Sequence, residues 1–163
     1  MSEKAAALRD QLIRNFLEMP REHFLRDPRY DSQTGGVSEG TVARKLGCSV
    51  DTVAPGKQSC PYHFHHAQEE MFIILEGRGT LRVADERLAI KAGDVIFIPP
   101  GPEYPHHILN DSDAELKYLS ISTQERPEVC EYPDSGKVGA FTGRPPSFMQ
   151  RRENGLDYWD GEP

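Results

Sequence analysis

The spacing of apolar residues changes character twice along the chain. Over residues 2–19, Ala5, Leu8, Leu12, Phe16 and Met19 recur at intervals of three or four, which predicts an amphipathic helix capped by Ser2. Pro20 ends it, and a short second helical piece is predicted over residues 22–25. Asp27–Pro28 and the Thr34–Gly35–Gly36 stretch read as loop. The helix is expected to serve as a lid on an open sheet face or as a contact helix for a partner.

From Thr41 the pattern shifts to short apolar or β-branched runs separated by glycine, proline and aspartate. Strands are predicted at residues 41–46, 49–53, 62–66, 71–75, 79–83, 87–90, 95–98, 106–110 and 116–122. Short strands this dense, with turn residues between them, predict an all-β antiparallel sandwich or small barrel. No strand–helix–strand rhythm is present, which argues against a doubly wound nucleotide fold. Glu76–Gly77–Arg78–Gly79 is expected to form a hairpin turn and Ala84–Asp85–Glu86 another.

After Ser122 the periodicity fades into a stretch rich in proline and glycine, with short strands predicted at 129–132 and 137–141 and a turn at 143–146. Tyr158–Trp159, near the end, is expected to dock on the barrel or on a neighbouring subunit. The resulting organisation is a helical and loop extension over 1–40, a barrel core over 41–122, and an extension over 123–163 packed on the barrel or a partner.

Charge narrows the partners. The 163 residues carry 19 Lys and Arg against 26 Asp and Glu, a formal charge of -7, which disfavours nucleic acid and anionic membrane. With no apolar run of transmembrane length and no leader-like start, a cytoplasmic location is expected. Cys48, Cys60 and Cys130 are odd in number and lack paired spacing, so reduced thiols are expected. Cys60, three residues before His63, is expected to be structural or incidental, with facing the same cavity as the alternative.

Candidate chemistry concentrates between Pro61 and Gly77. His63 and His65 stand two apart, which on a strand puts both imidazoles on one face, and Glu70 opens the next strand on the face of Phe72 and Ile74. Two imidazoles and a carboxylate brought together can hold a divalent ion, and His106 is the best candidate for a further ligand. Nitrogen and oxygen donors of this kind suit iron(II), manganese, nickel, zinc or copper better than magnesium or calcium. Phe72, Ile74, Ile96, Ile98 and Ile108 are expected to form the dry wall of the pocket. Glu103 and Tyr104, in the loop before His106, are candidate catalytic residues as proton acceptor and donor. Strand alternation turns His66 and His107 away from the site, as surface or interface residues.

These residues resemble the cupin superfamily, specifically its small single-domain bacterial members. The first motif is carried by Gly56, His63, His65, Glu70 and Gly77, with the glycine-to-histidine spacing one residue longer than the commonest form. The second is carried by Gly93, Pro99, Gly101, His106 and Asn110, with two extra residues before its histidine. The resemblance spans roughly residues 41–122. It implies a jelly-roll β-barrel, often dimeric, in which His63, His65, Glu70 and His106 hold one metal ion.

The superfamily includes dioxygenases, isomerases, decarboxylases, lyases, sugar-binding regulators and storage proteins, so fold does not choose the reaction. The resemblance implies a metal-dependent enzyme of the dioxygenase, isomerase or lyase class acting on a small oxygen-bearing organic acid or ketone, working as a homodimer. A non-enzymatic metabolite-binding or sensor protein is the alternative.

Overall fold

Strand pairing organises the chain from Glu22 onward. The computed structural model describes residues 1–143 and 147–163. It contains the helix α1 (Glu3–Leu12), followed by β1 (Glu22–Arg26), β2 (Tyr30–Gly36), β3 (Leu46–Val53), β4 (Phe64–His65), β5 (Glu70–Glu76), β6 (Arg78–Val83), β7 (Glu86–Lys91), β8 (Val95–Ile98), β9 (His106–Leu109), β10 (Leu116–Thr123), β11 (Glu128–Tyr132), β12 (Lys137–Phe141) and β13 (Phe148–Arg151). The turn expected at 143–146 falls largely on residues 144–146, outside the described residues.

The strands form a six-stranded sheet ordered β1-β2-β3-β10-β5-β8, a four-stranded sheet β13-β12-β11-β4 and a three-stranded sheet β7-β6-β9. Their apolar faces meet in one core. Val53, Phe72, Ile74, Ile98, Leu116 and Tyr118 from the largest sheet pack with Leu81, Ile90 and Ile108 from the smallest. The expected dry wall is therefore present, with Ile96 partly buried against it. Alternation is clearest in β5, where Glu70, Phe72 and Ile74 are buried on one face.

Two glycines make the corners work. Gly77, with φ 84°, turns the chain from the six-stranded to the three-stranded sheet, and a Cβ there would lie 2.3 Å from the Glu115 carbonyl oxygen. The expected hairpin at Gly77 is thus a corner between sheets, because β5 pairs with β10 and β8 while β6 pairs with β7 and β9. The expected turn at Ala84–Asp85 is a two-residue hairpin loop, both residues having positive φ. Gly35 lies within β2, where a Cβ would meet the Pro20 carbonyl oxygen at 3.0 Å, so its absence lets the preceding segment cross closely.

The amino-terminal third departs most from the sequence expectations. Ser2 caps α1 by accepting from the Ala5 N–H, but the helix stops at Leu12 and buries no residue. Asn15 takes over the backbone, its side chain accepting from Leu17 N–H in a local turn that competes with helix. The helix is joined to the segment after β2 by the Val42 N–H to Gln11 O bond at 3.1 Å. The segment expected as a second helical piece is β1, and the expected loop around Gly35 is β2, paired with it from Glu22↔Thr34 to Arg26↔Tyr30. Cross-strand pairing outweighs the weak local helical pattern there. The strand expected at 41–46 is irregular backbone up to Lys45, and Leu46 opens β3.

Candidate metal centre

His63 and His106 are direct neighbours in an antiparallel bridge through reciprocal backbone hydrogen bonds, His63 N–H to His106 O at 3.1 Å and His106 N–H to His63 O at 2.7 Å. That bridge, together with the two-residue β4, replaces the longer strand expected at 62–66. Alternation nonetheless holds for the side chains, since His63 Nε2 lies 3.1 Å from His65 Nε2. Glu70 Oε2 completes the group at 3.3 Å from His65 Nε2 and 2.8 Å from His106 Nε2.

The donor set fits a metal ion. Ligand atoms of His63, Glu70 and His106 all lie within 4.8 Å of one another, a His/Glu cluster capable of coordinating a divalent ion. Glu70 Oε2 and His106 Nε2 are both buried, and despite their proximity neither completes a hydrogen bond among the described residues. Two buried lone-pair atoms aimed at one small volume without partners are costly unless a cation joins them.

The outer nitrogens support that reading. His63 Nδ1 lies 2.9 Å from the Pro61 carbonyl and His106 Nδ1 lies 3.1 Å from the Tyr104 carbonyl. A carbonyl can only accept, so each Nδ1 carries the proton and each Nε2 is left with its lone pair toward the cluster. Burial opposes protonation of His65, yet Cys130 and Glu70 raise it to about 9.

His65 looks both ways. Its Nδ1 lies 3.3 Å from Cys130 Sγ and 3.8 Å from Glu128 Oε1, both on β11, which pairs with β4 through Cys130↔His65. Glu128, 2% exposed, accepts from the backbone N–H groups of His66 (2.9 Å), Ala67 (3.4 Å) and Gln68 (2.7 Å). One carboxylate thus fastens the loop between His65 and Glu70. Two residues beyond Cys130 on β11, Tyr132 stacks on His63 with ring centroids 5.9 Å apart.

Sequence reasoning missed Glu128, Cys130 and Tyr132 as supports of the site. The available signal was their alternation on a predicted strand, but nothing in local spacing connects them to histidines some 65 residues earlier.

A cavity of about 230 Å³ opens beside the cluster, lined by His63, Glu70, Cys60, Asp51, Tyr118 and several hydroxyl residues. Cys60 thus faces the cavity, the alternative its spacing allowed. Burial, reinforced by the charge of Glu70, raises its thiol to about 12, which keeps it protonated. Tyr118, raised well above an ordinary phenol by burial, shares a 2.6 Å hydrogen bond with Ser59. Asp51 accepts from Thr34 Oγ1 (2.6 Å) and Ser49 Oγ (2.8 Å), and burial raises its pKa.

The remaining expected residues fall elsewhere. Glu103 and Tyr104 do not line this cavity, both being exposed in the loop before β9. Tyr104 contributes its carbonyl and not its hydroxyl. His66 is exposed and pairs with Glu131 at 2.9 Å, as alternation predicted. His107 also points away, packing edge-on against Tyr62, but it is buried and not a surface residue. Tyr158 and Trp159 are exposed and contact each other without docking on the barrel.

Known proteins share this architecture. A family model described as a cupin domain matches residues 49–122. The chain is 38% identical over 86 residues to an uncharacterized protein of Methanocaldococcus jannaschii, covering 50% of this chain and 67% of that one. It is 28% identical over 139 residues to auxin-binding protein 1 of Arabidopsis thaliana, covering 76% and 64%. The chain thus spans about two thirds of the length of these relatives.

Among solved structures, a protein of Acidithiobacillus ferrooxidans provisionally assigned as a sugar phosphate isomerase superposes with a TM-score of 0.80 at 25% identity, covering 91% of this chain and 97% of that one. Family match, sequence relatives, superposition and the convergent His/Glu cluster agree that the chain belongs to the cupin superfamily.

Proposed function

We propose that the chain is a metal-dependent enzyme of the isomerase class, holding a divalent transition ion through His63, His65, Glu70 and His106 and acting on a small polyhydroxylated carbonyl compound. The observation that carries this reading is the pair of buried, unpartnered atoms Glu70 Oε2 and His106 Nε2 beside a hydroxyl-lined cavity. When bound, the ion supplies Lewis acidity toward an oxygen of the substrate.

The chain's own groups do the rest. Ser59, Ser120 and Tyr118 present hydrogen-bonding groups to substrate hydroxyls, and the raised pKa of Tyr118 keeps its phenol a donor. Asp51 is the proton carrier in this scheme. It takes the proton from the hydroxyl-bearing carbon next to the carbonyl and returns it to the former carbonyl carbon, while the hydroxyl proton passes to the former carbonyl oxygen, so no oxidant or reductant is consumed. Its raised pKa moves it toward the range where a carboxyl both accepts and donates. The likeness to the Acidithiobacillus ferrooxidans protein supports an isomerase in particular.

The test is proton exchange in D2O, followed by NMR on a panel of aldose and ketose phosphates, with protein reconstituted separately with iron(II), manganese, nickel and zinc. Deuterium incorporation beside the carbonyl together with interconversion is the expected result. Absence of exchange with every metal, alongside saturable ligand binding, would favour a binding protein instead. The relationship to an auxin-binding protein makes that the second reading.

A further inference from the structure

A second cavity, of about 640 Å³, lies on the outside of the barrel. Its walls are the β1–β2 turn, the outer face of β6 and β9, and the start of β12. In a chain of net charge -7, the residues around it include Arg26, Arg29, Arg82, Arg87 and Lys137, against the single carboxylate of Asp134. None of His63, His65, Glu70 and His106 lines it.

Part of that positive charge is uncompensated. Arg82 is held as a fork on Asp134 at 2.6 and 3.0 Å, reaches Asp85 Oδ1 at 3.2 Å and lies 3.6 Å over the Tyr62 ring. Arg87 reaches Asp111 only at 3.9 Å, with both side chains at least half exposed. Arg26, Arg29 and Lys137 pair with no carboxylate among the described residues. Like charges gathered in one groove repel one another, and an anion seated between them relieves that repulsion.

The groove is also built and not merely charged. Lys57 Nζ donates to the Pro28 carbonyl at 2.8 Å and reaches Asp27 Oδ1 at 3.2 Å, while Gln58 N–H donates to the Arg29 carbonyl at 3.0 Å. These bonds fasten the turn that carries Arg26 and Arg29 against the barrel. His107, 5% exposed, lines the groove and its Nδ1 has no hydrogen-bond partner.

We infer that this groove binds a small phosphorylated metabolite, its phosphoryl oxygens taken by the guanidinium forks and Lys137. Planar forks match phosphoryl oxygens two at a time, and several cations around one groove suit a doubly charged phosphoryl group better than a singly charged carboxylate. A groove of this volume is of the size that encloses a small molecule. Ser59 and Cys60 belong to the walls of both this groove and the inner cavity, so the ligand sits against the segment leading to His63. Anion binding here requires no metal at the inner cluster.

The test is calorimetric titration of the full chain, as purified, with inorganic pyrophosphate at low salt, and with citrate as a carboxylate control. Saturable pyrophosphate binding is expected, weakened about tenfold or more in the Arg29→Ala/Lys137→Ala double variant and in Arg87→Glu, and unchanged in Glu70→Gln. Circular dichroism establishes that each variant is folded, and the exposed Arg87 gives a second variant if the double one is not. Absence of saturable binding, retention of binding in folded groove variants, or its loss in Glu70→Gln overturns the proposal. Citrate binding as tight as pyrophosphate overturns the phosphate assignment.

Discussion

Glu70 Oε2 lies 2.8 Å from His106 Nε2, and neither atom completes a hydrogen bond among the described residues. The two elements that carry them are hydrogen-bonded strands, β5 in the six-stranded sheet and β9 in the three-stranded one, which holds the atoms close to each other. A shared cation removes the cost. His65→Ala and Glu70→Gln are therefore expected to lower metal affinity by more than about 100-fold, beyond the range typical of outer-shell changes. His66→Ala, which removes only an exposed partner of Glu131, is expected to leave affinity within a few-fold. Chelator competition measures both, and equal losses at His65 and His66 would refute the assigned facing of the strand.

Glu128 gives a second prediction, because it lies outside the residues matched by the family model yet fastens the ligand-bearing loop. Glu128→Gln replaces one acceptor oxygen by a donor that cannot receive the backbone N–H groups. The expected loss is about 10–100-fold in metal affinity, with about 2 kcal/mol or more of stability from the charge-assisted bonds removed. Metal titration and urea unfolding of the same protein read the two effects separately.

Much of the site was legible from the sequence because strand alternation is local. His63 and His65 share a face for the same reason that Glu70 shares one with Phe72 and Ile74. The buttress on β11 was not legible, since Cys130 meets His65 only through a long-range pairing. At the amino terminus the local signal misled. A short run of weak helical pattern at Glu22 becomes an edge strand because β2 is available to pair with it, and Asn15 ends the helix through a side-chain bond that periodicity does not register. Loss of alternation also hid the buried character of His107, since three consecutive residues of its strand are buried.

Gly77→Ala tests the corner between sheets. A methyl group there would collide with the Glu115 carbonyl oxygen and would hold a non-glycine residue at φ 84°. The expected cost is about 2 kcal/mol or more, from left-handed backbone strain plus the displacement of a backbone oxygen. Thermal unfolding checks it, with Gly56→Ala as the control, since a Cβ at Gly56 meets nothing within 4 Å and leaves only the strain of its positive φ.

Removing residues 158–163 is expected to leave the stability of the isolated chain within about 0.5 kcal/mol, because an exposed segment contributes little. Tyr158 is 84% exposed and Trp159 69%, and their ring contact is with each other. Denaturant midpoints at low protein concentration test this. A larger loss would show that these rings are buried by a partner copy at that concentration.

Asp51 links the chemistry to pH. Burial raises its folded-state pKa above the unfolded value, the bonds from Thr34 and Ser49 notwithstanding, so the folded chain binds this proton more tightly than the unfolded chain does. Below the unfolded pKa the group is protonated in both states and has no effect. As pH rises through the folded pKa, native Asp51 ionises at a cost of about 1.4 kcal/mol for every tenfold by which folding strengthens its hold on the proton, and stability falls by that amount. Asp51→Asn does not ionise. Its stability relative to the parent is expected to improve as pH rises above about 4, on top of a constant offset from the altered Thr34 and Ser49 bonds. Urea midpoints across that range measure the difference, and a flat difference would show that the carboxyl titrates normally. If Asp51 also carries the proton in catalysis, the same variant retains bound metal while deuterium exchange beside the substrate carbonyl is lost.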